Sequence, residues 1–98
     1  MRHLVYLGDK GCKPCREYKE RVIDPLIAKH PGSIEVHTGF DARFALANQV
    51  APVTKVPTII VERGGLEEFR FTAMLEAEQL EEIILCDADV LTASEVLA

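Results

Sequence analysis

Gly11-Cys12-Lys13-Pro14-Cys15 is the stretch that decides how this 98-residue chain folds. The cysteine pair follows the apolar run Leu4-Val5-Tyr6-Leu7 and precedes a helical pattern from Arg16 onward, so it reads as a dithiol at a strand-to-helix turn. A nucleophilic thiol works as its thiolate, and the unpaired N–H groups and positive dipole of a helix's first turn stabilise that anion. Cys12 takes that position. Lys10, Lys13, Arg16 and Lys19 crowd the same turn in a chain of net charge -5, so the local field opposes the global one. Pro14 suits a first turn, where a missing N–H costs nothing and a fixed φ stiffens the backbone. Cys12, the more exposed sulfur, is read as the attacking thiol and Cys15 as the resolving one.

Other uses of a close cysteine pair fit less well. A structural zinc site draws its ligands mostly from two close pairs, and the other candidates, Cys86, His3, His30 and His37, supply no second pair. No metal is expected. Unrelated core cysteines would not need a helix start after a strand. The chain is long enough for one core, and 48% apolar with 28% charged residues is ordinary for a soluble domain. Its acidic balance argues against general nucleic-acid binding. Neither a charged-then-apolar leader nor a membrane-length apolar run is present, so the expectation is no membrane association and a cytoplasmic location. In a reducing compartment a close pair is catalytic or metal-binding more often than structural.

The remaining elements follow in order. Residues 3–7 form an apolar strand covered on both faces. Residues 8–11 form a turn in which Asp9 caps the helix or assists proton transfer. A helix from 13 to about 29 carries Tyr18, Val22, Leu26 and Ile27 on its apolar side, with a kink or break expected near Ile23-Asp24 because of Pro25. His30 reads as a surface cap. Residues 33–38 alternate as a second strand, and Asp41 caps a second helix that fades near Val50. Val56-Pro57 leads into a buried strand, Glu62-Arg63-Gly64-Gly65 turns it, and Leu66 to Phe71 returns as a hairpin. A final helix from about Leu75 carries Leu80, Ile83 and Ile84 inward and Glu76, Glu78, Glu81 and Glu82 outward, with Cys86 as a small apolar residue at its end. Thr92-Ala93-Ser94-Glu95 matches a capping box for a short extra turn.

This order, with the dithiol after the first strand and Val56-Pro57-Thr58 before the third, resembles the thioredoxin superfamily over about residues 2–86. Cys12-Lys13-Pro14-Cys15 is similar to the family's Cys-Gly-Pro-Cys. Val56-Pro57-Thr58 is similar to the segment where the family places a cis-proline beside the dithiol. The resemblance implies an α/β, thioredoxin-like fold, β-α-β-α-β-β-α, with a central mixed sheet flanked by helices. Residues 1–87 are the domain and 88–98 a C-terminal tail. A cis Val56-Pro57 bond would leave the Val56 backbone free to pair with an extended substrate segment beside Cys12. Tyr6 stands where thioredoxins carry a buried aspartate, Gly11 where they carry tryptophan, and Thr72 where they carry a glycine. Thr72-Ala73-Met74 also lacks the Gly-Gly-acid cluster by which glutaredoxins hold glutathione.

The function implied is a thiol-disulfide oxidoreductase that reduces protein disulfides. Cys12 and Cys15 are the catalytic pair, Lys13 and Pro14 stabilise the thiolate, and Val56, Pro57 and Gly11 meet the substrate. The partners expected are disulfide-containing proteins and a reductase or glutathione as electron source. No cofactor is required, and a monomer is expected. Three alternatives stay open: a thioredoxin-fold binding or scaffold module that docks through its tail, a glutathione-dependent glutaredoxin-like enzyme, and metal carriage through Cys12 and Cys15 with a partner or second copy.

Overall fold

The computed structural model describes residues 2–38, 53 and 55–86. Four strands, β1 (His3–Gly8), β2 (Ile34–Thr38), β3 (Thr58–Arg63) and β4 (Leu66–Phe71), form one sheet in the order β2-β1-β3-β4. β1 pairs parallel with β2, while β3 pairs antiparallel with both β1 and β4. A parallel β1–β2 pair needs a crossover, and the helical run from Lys13 to Lys29 supplies it. The helix expected from Asp41 and the turn expected around Ser94 lie outside the described residues.

β1 is the spine of the sheet. Leu4, Val5, Tyr6 and Leu7 are each at most 1% exposed, as a strand with partners on both edges and both faces should be. Leu4 and Tyr6 face Tyr18, Val22, Ile23 and Leu26 of the helical run and Leu80, Ile83 and Ile84 of the last helix. Val5 and Leu7 face the other way, with Val53 and Ile60. β3 and β4 meet at a two-residue turn, Gly64-Gly65, with φ of 62° and 83°. Positive φ at both positions matches the right-handed twist of the strands and is unstrained only without a Cβ.

The helical run differs from expectation. Pro25 does not break it. α1 (Lys13–Tyr18) passes into a π-helical turn (Lys19–Ile23) and then α2 (Asp24–Lys29) without interruption. The Asp24 N–H donates to the Lys19 carbonyl, five residues back, where an α-helix would use a carbonyl four residues back. That wider turn gives the Pro25 ring room that a regular α-helix denies it. The proline therefore sits in the first turn of α2, where its missing N–H is harmless.

α3 spans Ala77–Leu85, later than the sequence pattern suggests. Glu76 is its N-cap, its side chain taking the Gln79 N–H while the Gln79 side chain accepts the Glu76 N–H at 2.9 Å. Leu75 is buried but precedes the helix. Glu81, expected on a wet face, instead joins the helical layers: its carboxylate lies 2.7 Å from both Lys29 Nζ and His30 Nε2. His30 sits at the end of α2, as expected, but is half-buried against α3. Among the described residues no helix is long and apolar enough to cross a membrane.

Candidate active site

The two sequence motifs converge through the sheet. β1 ends at Gly8 and leads directly into the cysteine turn, whereas β3 starts at Thr58 opposite Leu7. Because β1 and β3 are antiparallel, Val56-Pro57 lies at the same end of the sheet as Cys12 and Cys15. The Val56-Pro57 peptide is cis. Val56 is 42% exposed, and the Thr58 hydroxyl fastens the turn by donating to the Lys55 carbonyl at 2.5 Å.

Cys12 and Cys15 are disulfide-bonded, their Cα atoms 5.3 Å apart. Cys12 is itself the N-cap of α1: it has extended backbone angles, and its Sγ accepts the Cys15 N–H at 3.2 Å. A sulfur occupies the place that a serine or aspartate oxygen usually takes. Asp9 is therefore not the helix cap. Its carboxylate accepts the Gly11 N–H at 3.1 Å, and its carbonyl accepts the Cys12 N–H at 3.0 Å, which folds the turn that presents Cys12. Gly11 is exposed at the tip of that turn. Pro14 is in the first turn of α1, as expected.

The sulfurs differ in access, since Cys12 is half-buried whereas Cys15 is 2% exposed. The positive field around them is weaker than the sequence suggests. Lys13 Nζ lies 3.8 Å from Glu17 with both side chains well exposed, and Lys19 Nζ lies 2.9 Å from Asp24. Two of the clustered cations thus have acidic neighbours, and solvent screens the first pair further.

Tyr6 is a site residue that the sequence pattern marks only as an absence of aspartate. Its hydroxyl donates to the Cys15 carbonyl at 2.7 Å and ties the start of the helical run to β1. Burial, with a smaller contribution from the Asp24 charge, pushes its phenol up to about 12. Tyr18 donates to the Leu75 carbonyl at 2.5 Å, and burial pushes its phenol up as well. Gly8 leaves room for the Tyr6–Cys15 contact: a Cβ there would lie 3.2 Å from the Tyr6 ring and hydroxyl and 3.3 Å from Cys15 Cβ.

A cleft of about 240 Å³ opens behind the dithiol, lined by Tyr6, Gly8 and Cys15 and by the charged residues of the turn and helix, with Thr38 on its β2 side. Among the described residues no three metal-ligating side chains gather. Cys86 is half-buried at the end of α3, where its carbonyl accepts the Arg2 guanidinium at 2.6 Å.

Comparison with family models and with curated proteins gives no match. Solved structures do share the architecture. Thioredoxin-2 of a malaria parasite is 21% identical, with 86% of this chain and 81% of that chain covered at a TM-score of 0.64. The periplasmic thioredoxin SoxS of Paracoccus pantotrophus, in its reduced form, is 18% identical, with 86% and 96% covered at 0.62. Thioredoxin O2 of Arabidopsis thaliana, in its oxidised state, is 21% identical, with 86% and 72% covered at 0.55. At these identities the likeness is one of architecture, and the architecture that this chain adopts around its Cys12–Cys15 pair is the thioredoxin fold.

Proposed function

We propose that the protein is a thiol-disulfide oxidoreductase that reduces protein disulfides through Cys12 and Cys15. The observation that carries this reading is the asymmetry of the pair: one sulfur is accessible and receives a helix N–H, while its partner is buried within bonding reach. An N–H aimed at Cys12 Sγ stabilises a thiolate there. That thiolate attacks one sulfur of a substrate disulfide, a Cys12–substrate bond forms, and the substrate's other sulfur leaves as a thiolate. Cys15 then attacks Cys12 Sγ, which releases the second substrate thiol and leaves Cys12–Cys15 oxidised. The substrate gains two electrons and the dithiol loses them, so a thiol reductant, a reductase or glutathione, must reset the pair. The backbone of Val56, an exposed residue beside the cis-proline, would receive the extended chain on either side of the substrate cysteine. We propose the cytoplasm as its location, a reducing compartment in which a close cysteine pair serves catalysis more often than structure.

Two variants test this. Cys15→Ser should accumulate a mixed disulfide between Cys12 and a disulfide-bonded protein substrate, whereas Cys12→Ser should show no exchange. Full exchange activity in Cys12→Ser would overturn the assignment.

A further inference from the structure

The sheet has two edges, and they are finished differently. Between Val61 and Glu62 the β3–β4 register shifts, so β4 carries an extra residue, Glu68, and bends along its edge. Such a bulge keeps an edge strand from pairing with another chain. β2, at the opposite edge, has no such device. Its residues Ile34-Glu35-Val36-His37-Thr38 keep a continuous register with β1 and include no proline, glycine or lysine. Among the described residues no strand lies on its outer side.

The Leu4 N–H donates to the Ser33 carbonyl at 2.9 Å, so Ser33, Glu35 and His37 turn their backbone groups towards β1. Ile34, Val36 and Thr38 turn theirs outward. All three are β-branched, which suits a strand that pairs on both sides. The side chains alternate between faces: Ile34 and Val36 pack with the core that holds Leu4 and Tyr6, whereas Glu35 and His37 project from the opposite face. There His37 Nε2 lies 2.5 Å from Glu35 Oε2, and both side chains stay partly open to solvent.

These alternations make the edge complementary to itself. A second copy of β2, laid antiparallel about a two-fold axis through Val36, pairs Val36 with Val36 of the second copy and Ile34 with Thr38 of the second copy, in both directions. Those are the residues whose N–H and C=O groups point outward, so each pair exchanges two hydrogen bonds. Glu35 then lies directly opposite His37 of the second copy, at the closer, non-hydrogen-bonded position. The four side chains form a square in which every adjacent pair is a carboxylate and an imidazole. A slide by two residues either way shortens the ladder and sets Glu35 against Glu35 or His37 against His37.

We propose that the β2 edge is the interface of a homodimer, in place of the monomer expected from the sequence, with two copies joined through β2 into one continuous sheet. The contact is isologous, so it closes at two copies and builds no fibre. β1 and β2 run parallel, and Gly8, which leads into the dithiol turn, pairs with Thr38. Antiparallel β2 strands therefore set the two dithiols towards opposite ends of the seam, with neither Cys12 at its centre.

Sedimentation equilibrium over a concentration series tests this, on the full chain carrying Cys86→Ser so that no disulfide through Cys86 links two copies. This parent should show a reversible monomer–dimer equilibrium. His37→Glu sets carboxylate against carboxylate across the seam, and Glu35→Lys sets an ammonium group against the imidazole. Each variant alters two pairs and is expected to weaken the dimer by about tenfold. An equimolar mixture of the two should regain the parent's association: the new carboxylate of one faces the new ammonium of the other, while the unaltered Glu35 and His37 face each other. Variants that had failed to fold could not rescue one another in this way. A parent that stays monomeric throughout the series would overturn the proposal. So would a dimer that both variants leave at the parent's strength, or a mixture no stronger than its components.

Discussion

The Tyr6 hydroxyl donates a 2.7 Å hydrogen bond to the backbone carbonyl of Cys15, joining the central strand to the buried cysteine. Both partners are almost wholly out of water, so the bond holds the helical run against β1 in a low-dielectric setting. Tyr6→Phe keeps the ring packing and removes only the oxygen. We expect a loss of about 1 kcal/mol, measured by denaturant unfolding of the oxidised protein.

The same burial makes stability depend on pH at the alkaline end. The folded-state phenol of Tyr6 is raised from 10.0 to about 12, and Tyr18 is raised by burial too. A raised folded value leaves this contribution whole below the unfolded value of 10.0 and removes it as pH climbs towards the folded one, because the unfolded chain sheds its protons first. Stability should therefore decline as pH rises above 10.0 towards about 12. Absorbance titration should show neither of the chain's two tyrosines ionising near 10.0 before the protein unfolds.

Gly8 is required for space. An added Cβ would press at 3.2–3.3 Å on Tyr6 and Cys15, both fixed in the core. Gly8→Ala should destabilise by about 1–3 kcal/mol, the usual range for overpacking. A shift of the Cys12–Cys15 midpoint should accompany the change in thermal unfolding.

Arg2 is buried at 2% exposure, paired with both Glu68 oxygens, at 2.5 and 3.2 Å, and donating to the Cys86 carbonyl. It ties β4 to the end of α3. Arg2→Ala leaves a partly buried carboxylate without its cation, and we expect a loss of about 3 kcal/mol. Pairing Arg2→Met with Glu68→Leu should recover much of it, because an apolar pair removes the stranded charge; a double-mutant unfolding series checks both.

Glu81 joins α2 to α3, and the hydrogen bonds from Lys29 and His30 hold its carboxyl below the usual range. A lowered folded value gives stability that is present above the unfolded carboxylate pKa and lost as pH falls through the folded one. The parent should unfold at higher denaturant than Glu81→Gln at neutral pH, and the two curves should converge in acid.

Much of this was legible in local sequence. The unbroken apolar run 4–7 marks a strand buried on both faces, and Gly64-Gly65 between two β-favouring runs marks the hairpin. Cys12 and Cys15 needed only their position after a strand. The features that escaped the sequence depend on distant residues or on a rare local geometry. Pro25 signals a break by its local chemistry, yet widening the preceding turn satisfies it equally well, and no residue in 19–23 announces that choice. The Lys19–Asp24 contact was hidden for the same reason, since its five-residue spacing has no meaning on an α-helix. Arg2 and Glu68 are 66 residues apart and meet only once the sheet and α3 are assembled. The outward stripe of α3 is polar by pattern, but Glu81 is captured by the end of α2, which helical periodicity alone does not reveal.

The most direct test of the central claim is a redox titration in defined thiol-disulfide buffers, with the paired sulfurs assigned by peptide mapping. The expected result is a reversible Cys12–Cys15 bond with a midpoint near about -270 mV, as suits a thioredoxin-type reductant. Pairing of Cys12 with Cys86 instead, or no Cys12–Cys15 bond at any buffer composition, would contradict it.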